Sequence, residues 1–258
     1  MFVYILGSLS GTEPMPERHH TSWVLEVNST LYMFDAGDNC GHTAFLMGLP
    51  LPKLKALFIS HQHRDHIDGL FHLAEVLCKI REVNKAIPHA VLPVYTSAKA
   101  LVPAITALMD LNGPHPHFSL LAKNFSRGGK IYSDENIVVE AQGTEHMLRA
   151  EDGTFRSWSF LIRTQGKRIV YSGDVKDASE LDPLLREGCD LLLMESGHHS
   201  PPALCKRWKE ESFPVERIIF LHHGREFLQD EALCEKRCKE FFGDKVEFAK
   251  DGMTRKLV

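Results

Sequence analysis

Residues 60–69 of this chain read Ser-His-Gln-His-Arg-Asp-His-Ile-Asp-Gly, so three imidazoles and a carboxylate lie within residues 61–66. The apolar run 54–59 comes directly before this stretch, and an amphipathic helical pattern over residues 68–84 follows it. Imidazole nitrogen and carboxylate oxygen are ligands that borderline divalent metals such as zinc accept. The stretch therefore predicts a metal site at a strand-to-helix junction rather than a histidine-rich surface loop.

The four candidate ligands divide into two pairs by their spacing. His61 and His63 are separated by one residue, so their side chains could point the same way from an extended backbone. Asp65 and His66 stand at the mouth of the predicted helix, where a carboxylate is favoured electrostatically. We therefore expect the second pair to face a second metal.

The pattern His-x-His-x-Asp-His, followed by an apolar residue, Asp and Gly, resembles the signature of the metallo-β-lactamase superfamily. Further motifs look closest to its ribonuclease Z-like and cyclic-phosphate phosphodiesterase branch: Leu6-Gly7, Thr21-Ser22, Asp35-Ala36-Gly37 and Asp251-Gly252. The resemblance implies an α/β fold, a four-layer αββα sandwich with two sheets face to face and helices outside. It also implies a structural role for Asp35 beside the metal-binding loop. No linker marks a domain boundary, so we expect a single domain over residues 1–258.

The same resemblance implies the remaining ligands. A His after the strand predicted at residues 137–141 supplies the third ligand of the first metal in this family, and His146 stands in that place. Asp174 matches the family's Gly-Asp motif, whose carboxylate bridges the two metals. His222 aligns with a ligand of the second metal, and His223 stays the alternative because adjacent imidazoles of an extended strand point opposite ways. The implied sets are His61, His63, His146 and Asp174 for the first metal, and Asp65, His66, His222 and Asp174 for the second.

A metal pair of this kind predicts hydrolysis, because two divalent ions can share a hydroxide and brace both the attacking and the leaving oxygen. We expect zinc, with manganese or iron as alternatives. Asp65 is expected to orient the hydroxide and accept its proton, and His198 or His199 to protonate the leaving group or bind a phosphate oxygen. Ribonuclease Z has a catalytic His just before the Glu at a late strand end, whereas Met194 precedes Glu195 here.

Three hypotheses for the function follow. The motifs favour hydrolysis of a small phosphodiester, and hydrolysis of a lactone, thioester or other carboxyl ester or amide is the alternative. A non-hydrolytic metal-binding or redox module is the third, and the complete ligand set speaks against it because a structural zinc needs no bridging carboxylate. Long nucleic acid is not expected, because the net charge is −4, Met194 replaces the His of ribonuclease Z, and no Gly-Pro-rich insertion could serve as a tRNA-binding arm.

Composition agrees with a globular protein, since 43% of the 258 residues are apolar and 25% are charged. No apolar run approaches the roughly 20 residues of a membrane span, and the first residues lack the basic start of a signal peptide. We therefore expect a cytoplasmic protein without a membrane partner. The oligomeric state stays open, and a homo-oligomer is compatible with the sequence. Six cysteines without Cys-x-x-Cys pairs suit reduced thiols. His19 and His20 are expected to be solvated, and a place lining the cleft is the alternative.

Overall fold

The computed structural model of the chain describes residues 1–11, 13, 15–83, 90–111, 113, 115 and 117–257. Its strands are β1 Phe2–Gly7, β2 Ser22–Val27, β3 Thr30–Phe34, β4 Leu54–Phe58, β5 Ala90–Thr96, β6 Phe118–Asn124, β7 Gly129–Ser133, β8 Val138–Thr144, β9 Ser157–Thr164, β10 Lys167–Tyr171, β11 Leu191–Ser196, β12 Ile218–His223, β13 Val246–Phe248 and β14 Thr254–Lys256. Its α-helices are α1 Cys40–Leu46, α2 Arg64–Ile67, α3 Leu70–Val83, α4 Leu101–Asp110, α5 Asp182–Arg186, α6 Pro201–Glu210, α7 Arg225–Gln229 and α8 Glu231–Phe242.

The first of two compact units comprises Met1–Gly7, Pro16–Phe125 and Asp251–Val258. Its sheet has the strand order β14-β1-β2-β3-β4-β5-β6, antiparallel from β14 to β3 and parallel from β3 to β6. The β2–β3 hairpin turns at Asn28 and Ser29, which both have positive φ, as tight two-residue turns require. Because β3 and β4 are parallel, the loops that follow them start at the same edge of the sheet.

The second unit comprises Ser8–Met15 and Ser126–Lys250. Its sheet has the order β13-β12-β11-β10-β9-β8-β7, antiparallel from β7 to β10 and parallel from β10 to β13. The parallel strands β11 and β12 are buried along their whole length, which explains their unbroken apolar sequence. The carboxyl ends of β10, β11 and β12 therefore meet at one edge, where chemistry-bearing residues follow each strand.

Each unit has its own apolar core. In the first, Leu57 and Ile59 pack with Leu70 and Leu73 of α3, which holds the loop between β4 and α3 against the sheet. In the second, Met194 of β11 packs in a cluster with Trp208 and Phe220. Met194, at the place of the ribonuclease Z histidine, is therefore a core residue.

The predicted departure from a purely parallel sheet is confirmed by both sheets. The helix predicted at residues 68–84 is observed as α3, and residue 84 lies outside the described residues. The expected single domain over residues 1–258 stays a prediction. No helix in the described part of the chain is both long and apolar enough to cross a membrane.

Candidate metal centre

Four predicted ligands of the first unit form what we call the first cluster: His61, His63, Asp65 and His66. They follow the carboxyl end of β4 and enter the short helix α2. His61 Nε2 lies 3.0 Å from His63 Nδ1, and His66 Nε2 lies 3.5 Å from Asp65 Oδ2. The rings of His61 and His66 are 4.1 Å apart, so the two predicted pairs are neighbours.

Asp35 holds this cluster from the end of β3. Its Oδ1 accepts the Ser60 backbone N–H at 2.6 Å, and its Oδ2 accepts the Ser60 hydroxyl at 2.7 Å. The same Oδ2 lies 2.8 Å from His66 Nδ1, and Ser60 Oγ lies 3.0 Å from His61 Nδ1. Contacts at Nδ1 favour Nε2 as the ligand atom of both rings, which is how carboxylates orient metal-binding imidazoles. Asp35 thus has the structural role that the family resemblance implies.

Glycine allows the loop after β3 to approach the start of α3. A Cβ at Gly69 would lie 1.9 Å from the carbonyl oxygen of Gly37, so any larger residue would push the two segments apart. Backbone bonds from Ala36 N to His66 O (2.8 Å) and from Gly69 N to Ala36 O (2.9 Å) join them. Backbone bonds therefore join α2 and the residue before α3 to the loop after β3.

His19 and His20, in the segment before β2, were expected to be solvated, but both also contact the protein. His20 Nδ1 lies 3.1 Å from Asp38 Oδ1, and Asn39 Nδ2 donates to His19 Nδ1 at 3.1 Å. Both side chains are about one-third exposed or less, at 34% for His19 and 27% for His20. They contact the turn that follows β3.

Four residues of the second unit form the second cluster: His146, Asp174, His198 and His222. Asp174 Oδ2 lies 3.5 Å from His146 Nε2, 3.5 Å from His222 Nε2 and 3.9 Å from His198 Nδ1. These separations exceed a good hydrogen bond. Two ligands of a tetrahedral zinc at about 2.0–2.1 Å from the ion stand about 3.3 Å apart. The spacing and the nitrogen and oxygen donors therefore fit ligands grouped around a divalent metal.

A bulge at the end of β12 separates the roles of His222 and His223. His222 has a φ of 53°, and the register of β11 with β12 shifts so that Ser196 pairs with His223. His223 Nδ1 lies 2.9 Å from Ser196 Oγ and its Nε2 lies 2.9 Å from the Ala249 carbonyl oxygen. Both ring nitrogens of His223 therefore contact protein atoms. This supports His222 as the ligand, although the assignment itself stays a prediction.

Glu195, at the end of β11, organises the second cluster and was not among the predicted site residues. Its buried carboxylate accepts the backbone N–H groups of Gly197 and His198, each at 2.9 Å. Its Oε1 lies 3.1 Å from His198 Nδ1, and its Oε2 lies 3.9 Å from His222 Nδ1. The sequence signal was a carboxylate at a buried strand end followed by Ser-Gly-His-His.

The two predicted catalytic histidines differ in their surroundings. The His198 side chain is 43% exposed, and its ring lies 4.9 Å from that of His146 and 5.6 Å from that of His222. The His199 side chain is only 15% exposed, and its Nε2 lies 3.1 Å from the Val175 carbonyl oxygen. His198 is therefore the better placed of the two to meet a substrate.

The thiol nearest the first cluster is not a ligand candidate. Cys40 is fully buried, and a Cβ at Gly69 would lie 2.8 Å from its sulfur. Burial raises the pKa of the Cys40 thiol to about 12, as expected for a thiol inside the apolar core. Cys40 is a core residue that packs behind the metal-binding loop.

Sequence comparisons identify a family and several relatives of this chain. The profile of the family described as a beta-lactamase superfamily domain matches residues 32–222. Ribonuclease Z of Treponema denticola is 30% identical over 159 residues, which are 60% of this chain and 48% of that protein. Ribonuclease Z of Bacillus licheniformis is 26% identical over an alignment of 285 positions that covers 100% of this chain and 87% of that protein. The chain thus spans about half the length of the Treponema relative.

Among solved structures, the human short-form tRNase Z superposes with a TM-score of 0.72 at 20% identity, over 100% of both chains. This likeness confirms the predicted fold class, two mixed sheets flanked by helices. The expectation that a long nucleic acid is not a partner is wrong, because a relative that aligns over 100% of this chain is named for action on RNA, the ribonuclease Z of Bacillus licheniformis. A net charge of −4 describes the whole chain and says little about the charge of one binding face.

Proposed function

The chain belongs to the metallo-β-lactamase superfamily, and from that premise we propose that it is a metal-dependent hydrolase of phosphodiester bonds in a nucleic acid. The family profile over residues 32–222 contains all seven predicted ligands. The relatives are named ribonuclease Z, which supports a phosphodiester in RNA over a carboxyl ester or amide. The observation that supports the proposal most is the second cluster, in which three imidazoles surround one carboxylate oxygen.

We propose that the two clusters together bind two divalent ions, zinc by preference. The first ion would be held by His61, His63, His146 and Asp174, and the second by Asp65, His66, His222 and Asp174. Asp174 suits the shared position because it is 2% exposed and carries two oxygens, while His146 and His222 both lie 3.5 Å from one of them. Every donor in the set is an imidazole nitrogen or a carboxylate oxygen, which zinc accepts.

Two divalent ions at such a site lower the pKa of a water and stabilise the charge that develops on attacking and leaving oxygens. Asp65, 12% exposed and 3.5 Å from His66, is the proposed acceptor of the nucleophile's proton. His198 is the proposed donor to the leaving oxygen or a phosphate oxygen. Glu195 holds the His198 ring by Nδ1 at 3.1 Å, which directs Nε2 away from the buried carboxylate.

The test combines metal analysis with a panel of substrates. Protein purified without chelator is assayed on bis(p-nitrophenyl) phosphate, a 2′,3′-cyclic nucleotide, an oligoribonucleotide, a homoserine lactone and a thioester. We expect roughly two equivalents of metal and turnover of the phosphodiesters, with the oligoribonucleotide preferred. Asp174→Ala should lose both, whereas Asp244→Ala, at an exposed position of the same unit, should lose neither.

Each outcome decides a different part of the proposal. Preference for the small phosphodiesters would overturn the nucleic acid as substrate, but phosphodiester hydrolysis would stand. The phosphodiester assignment would be overturned if lactone or thioester turnover exceeded phosphodiester turnover by orders of magnitude and was lost in Asp174→Ala. The metal assignment would then still stand. Tight binding of two equivalents by Asp174→Ala would overturn the ligand assignment.

A further inference from the structure

The loop between β8 and β9, residues 145–156, contains the predicted ligand His146 as its second residue and carries a pair of adjacent exposed side chains. Leu148 is 88% exposed, and the adjacent Arg149 side chain is 44% exposed. The Cα atom of Leu148 can be at most about 7 Å from that of His146, because two residues of extended chain reach no further. A single exposed leucine means little by itself, but this one stands two residues after a candidate metal ligand, where a bound substrate would be near.

Backbone bonds hold this loop in one conformation. Ala150 N donates to Thr154 O at 2.9 Å and Gly153 N donates to Ala150 O at 2.9 Å, which close the tip. Met147 N donates to Ser157 Oγ at 3.2 Å, which ties the base of the loop to β9. The exposure of Leu148 is therefore a property of an ordered loop.

The Arg149 guanidinium lies over an aromatic ring. Its guanidinium carbon is 3.8 Å from the centroid of Phe155, a cation–π distance. Phe155 packs on Gly143, where a Cβ would lie 2.3 Å from the ring, and contacts the Trp158 ring at 5.8 Å. A larger residue at position 143 would displace the ring and the guanidinium plane that rests on it.

The charge of Arg149 is already paired. Its Nε donates to Glu145 Oε1 at 3.0 Å and to Oε2 at 3.3 Å, and these bonds lower the pKa of the Glu145 carboxyl. A paired guanidinium attracts a phosphate weakly, but its plane remains a surface for stacking. Nucleobases of single-stranded RNA stack on arginine planes and apolar side chains in this way.

We propose that Leu148 and Arg149 form a stacking surface for the nucleobase next to the scissile phosphate. The inference rests on the proposed function, since it names how the substrate of that same site is held. The surface offers planar and apolar contact without a fixed set of donors and acceptors, so it selects a nucleotide over a bare phosphodiester and does not select one base.

The test compares two substrates that share a leaving group, the p-nitrophenyl ester of uridine 5′-phosphate and methyl p-nitrophenyl phosphate. Leu148→Ala and Arg149→Gln should each lower kcat/KM for the nucleotide about tenfold, within the range of about 1–3 kcal/mol for stacking on one base. Both should leave the methyl ester within about twofold. Matched controls are Leu111→Ala, 80% exposed, and Arg163→Gln, which removes an arginine paired with Glu140 at 3.2 Å.

Binding of uridine 5′-monophosphate to the metal-containing protein, measured by calorimetry, gives a readout without turnover. Its Kd should rise about tenfold in the two loop variants and stay unchanged in the controls. Equal losses on both substrates, or unchanged nucleotide affinity, would overturn the stacking surface. If the parent protein turns over neither ester, the proposed function fails, and the binding measurement still decides whether the loop holds a nucleotide.

Discussion

Asp35 Oδ2 lies 2.8 Å from His66 Nδ1, and both side chains are fully buried. The same carboxylate accepts the backbone N–H and the hydroxyl of Ser60. A carboxylate that accepts several hydrogen bonds fixes the imidazole that it contacts, and such partners set the orientation of metal-binding histidines. One residue at the end of β3 therefore controls the direction of a side chain that follows β4.

We expect Asp35→Asn to weaken binding of the proposed metal at His66 by about 10- to 100-fold. The amide keeps the size of the side chain but replaces one acceptor oxygen by a donor group, which opposes the Nδ1–H tautomer of His66. Competition with a chelator of known affinity measures the change. Asp38→Asn is the matched control, because Asp38 is 39% exposed and contacts His20. Equal affinities for the two variants would contradict this role of Asp35.

His222 and His223 offer a contrast between metal binding and stability. His222→Ala should reduce the metal content from roughly two equivalents to roughly one while the fold persists. His223→Ala should keep the metal but lower the free energy of unfolding by about 2–4 kcal/mol, because it leaves a cavity and unpairs Ser196 and the Ala249 carbonyl. Metal analysis and urea unfolding measure the two effects. Loss of metal from His223→Ala with retention in His222→Ala would exchange the assignments.

The central elements of the fold could be predicted from the sequence because they are buried apolar runs between turn residues. The strands β11 and β12 and the hairpin of β2 and β3 are such elements. No comparable pattern marks β6, β7 or β14. These strands lie at or near sheet edges and are largely exposed, so packing does not impose an apolar pattern on them.

Four of the candidate ligands, at residues 61–66, could be proposed from residue types and spacing that are specific to metal sites, and the other three only from the family resemblance. The supports of these ligands could not be predicted. The bulge that gives His222 a φ of 53° depends on the register of two strands. Glu195 accepts the Gly197 N–H, and a Cβ at Gly197 would lie 2.5 Å from His222 Nδ1, so this glycine is needed where the two strand ends meet. These are consequences of tertiary packing, which local sequence does not encode.

The cysteines should be unreactive in the folded protein. Burial raises the pKa of Cys40 and Cys189 to about 12 and that of Cys78 to about 11. At pH 8 a thiol with a pKa of about 12 is ionised in about one molecule in ten thousand, and only the thiolate attacks disulfide reagents. Titration with Ellman's reagent should find slow modification without denaturant, first at half-buried Cys78, and all six thiols in guanidinium. Rapid modification of several thiols in the native protein would contradict the burial.

The last prediction separates His198 from His199 by the leaving group of the substrate. A proton donor matters most when the leaving oxygen is basic, so its loss should slow an alkyl phosphodiester more than a p-nitrophenyl one. We expect His198→Ala to lower kcat on a dinucleotide by about 100-fold and on bis(p-nitrophenyl) phosphate by less than about tenfold. Glu195→Gln should show the same selectivity more weakly, because Glu195 acts through the His198 ring at 3.1 Å. His199→Ala, which loses the 3.1 Å contact with the Val175 carbonyl, should lower both rates by similar factors or reduce stability instead. If His199→Ala shows the dependence on the leaving group and His198→Ala does not, the proton donor is His199 and the exposed ring of His198 has another role.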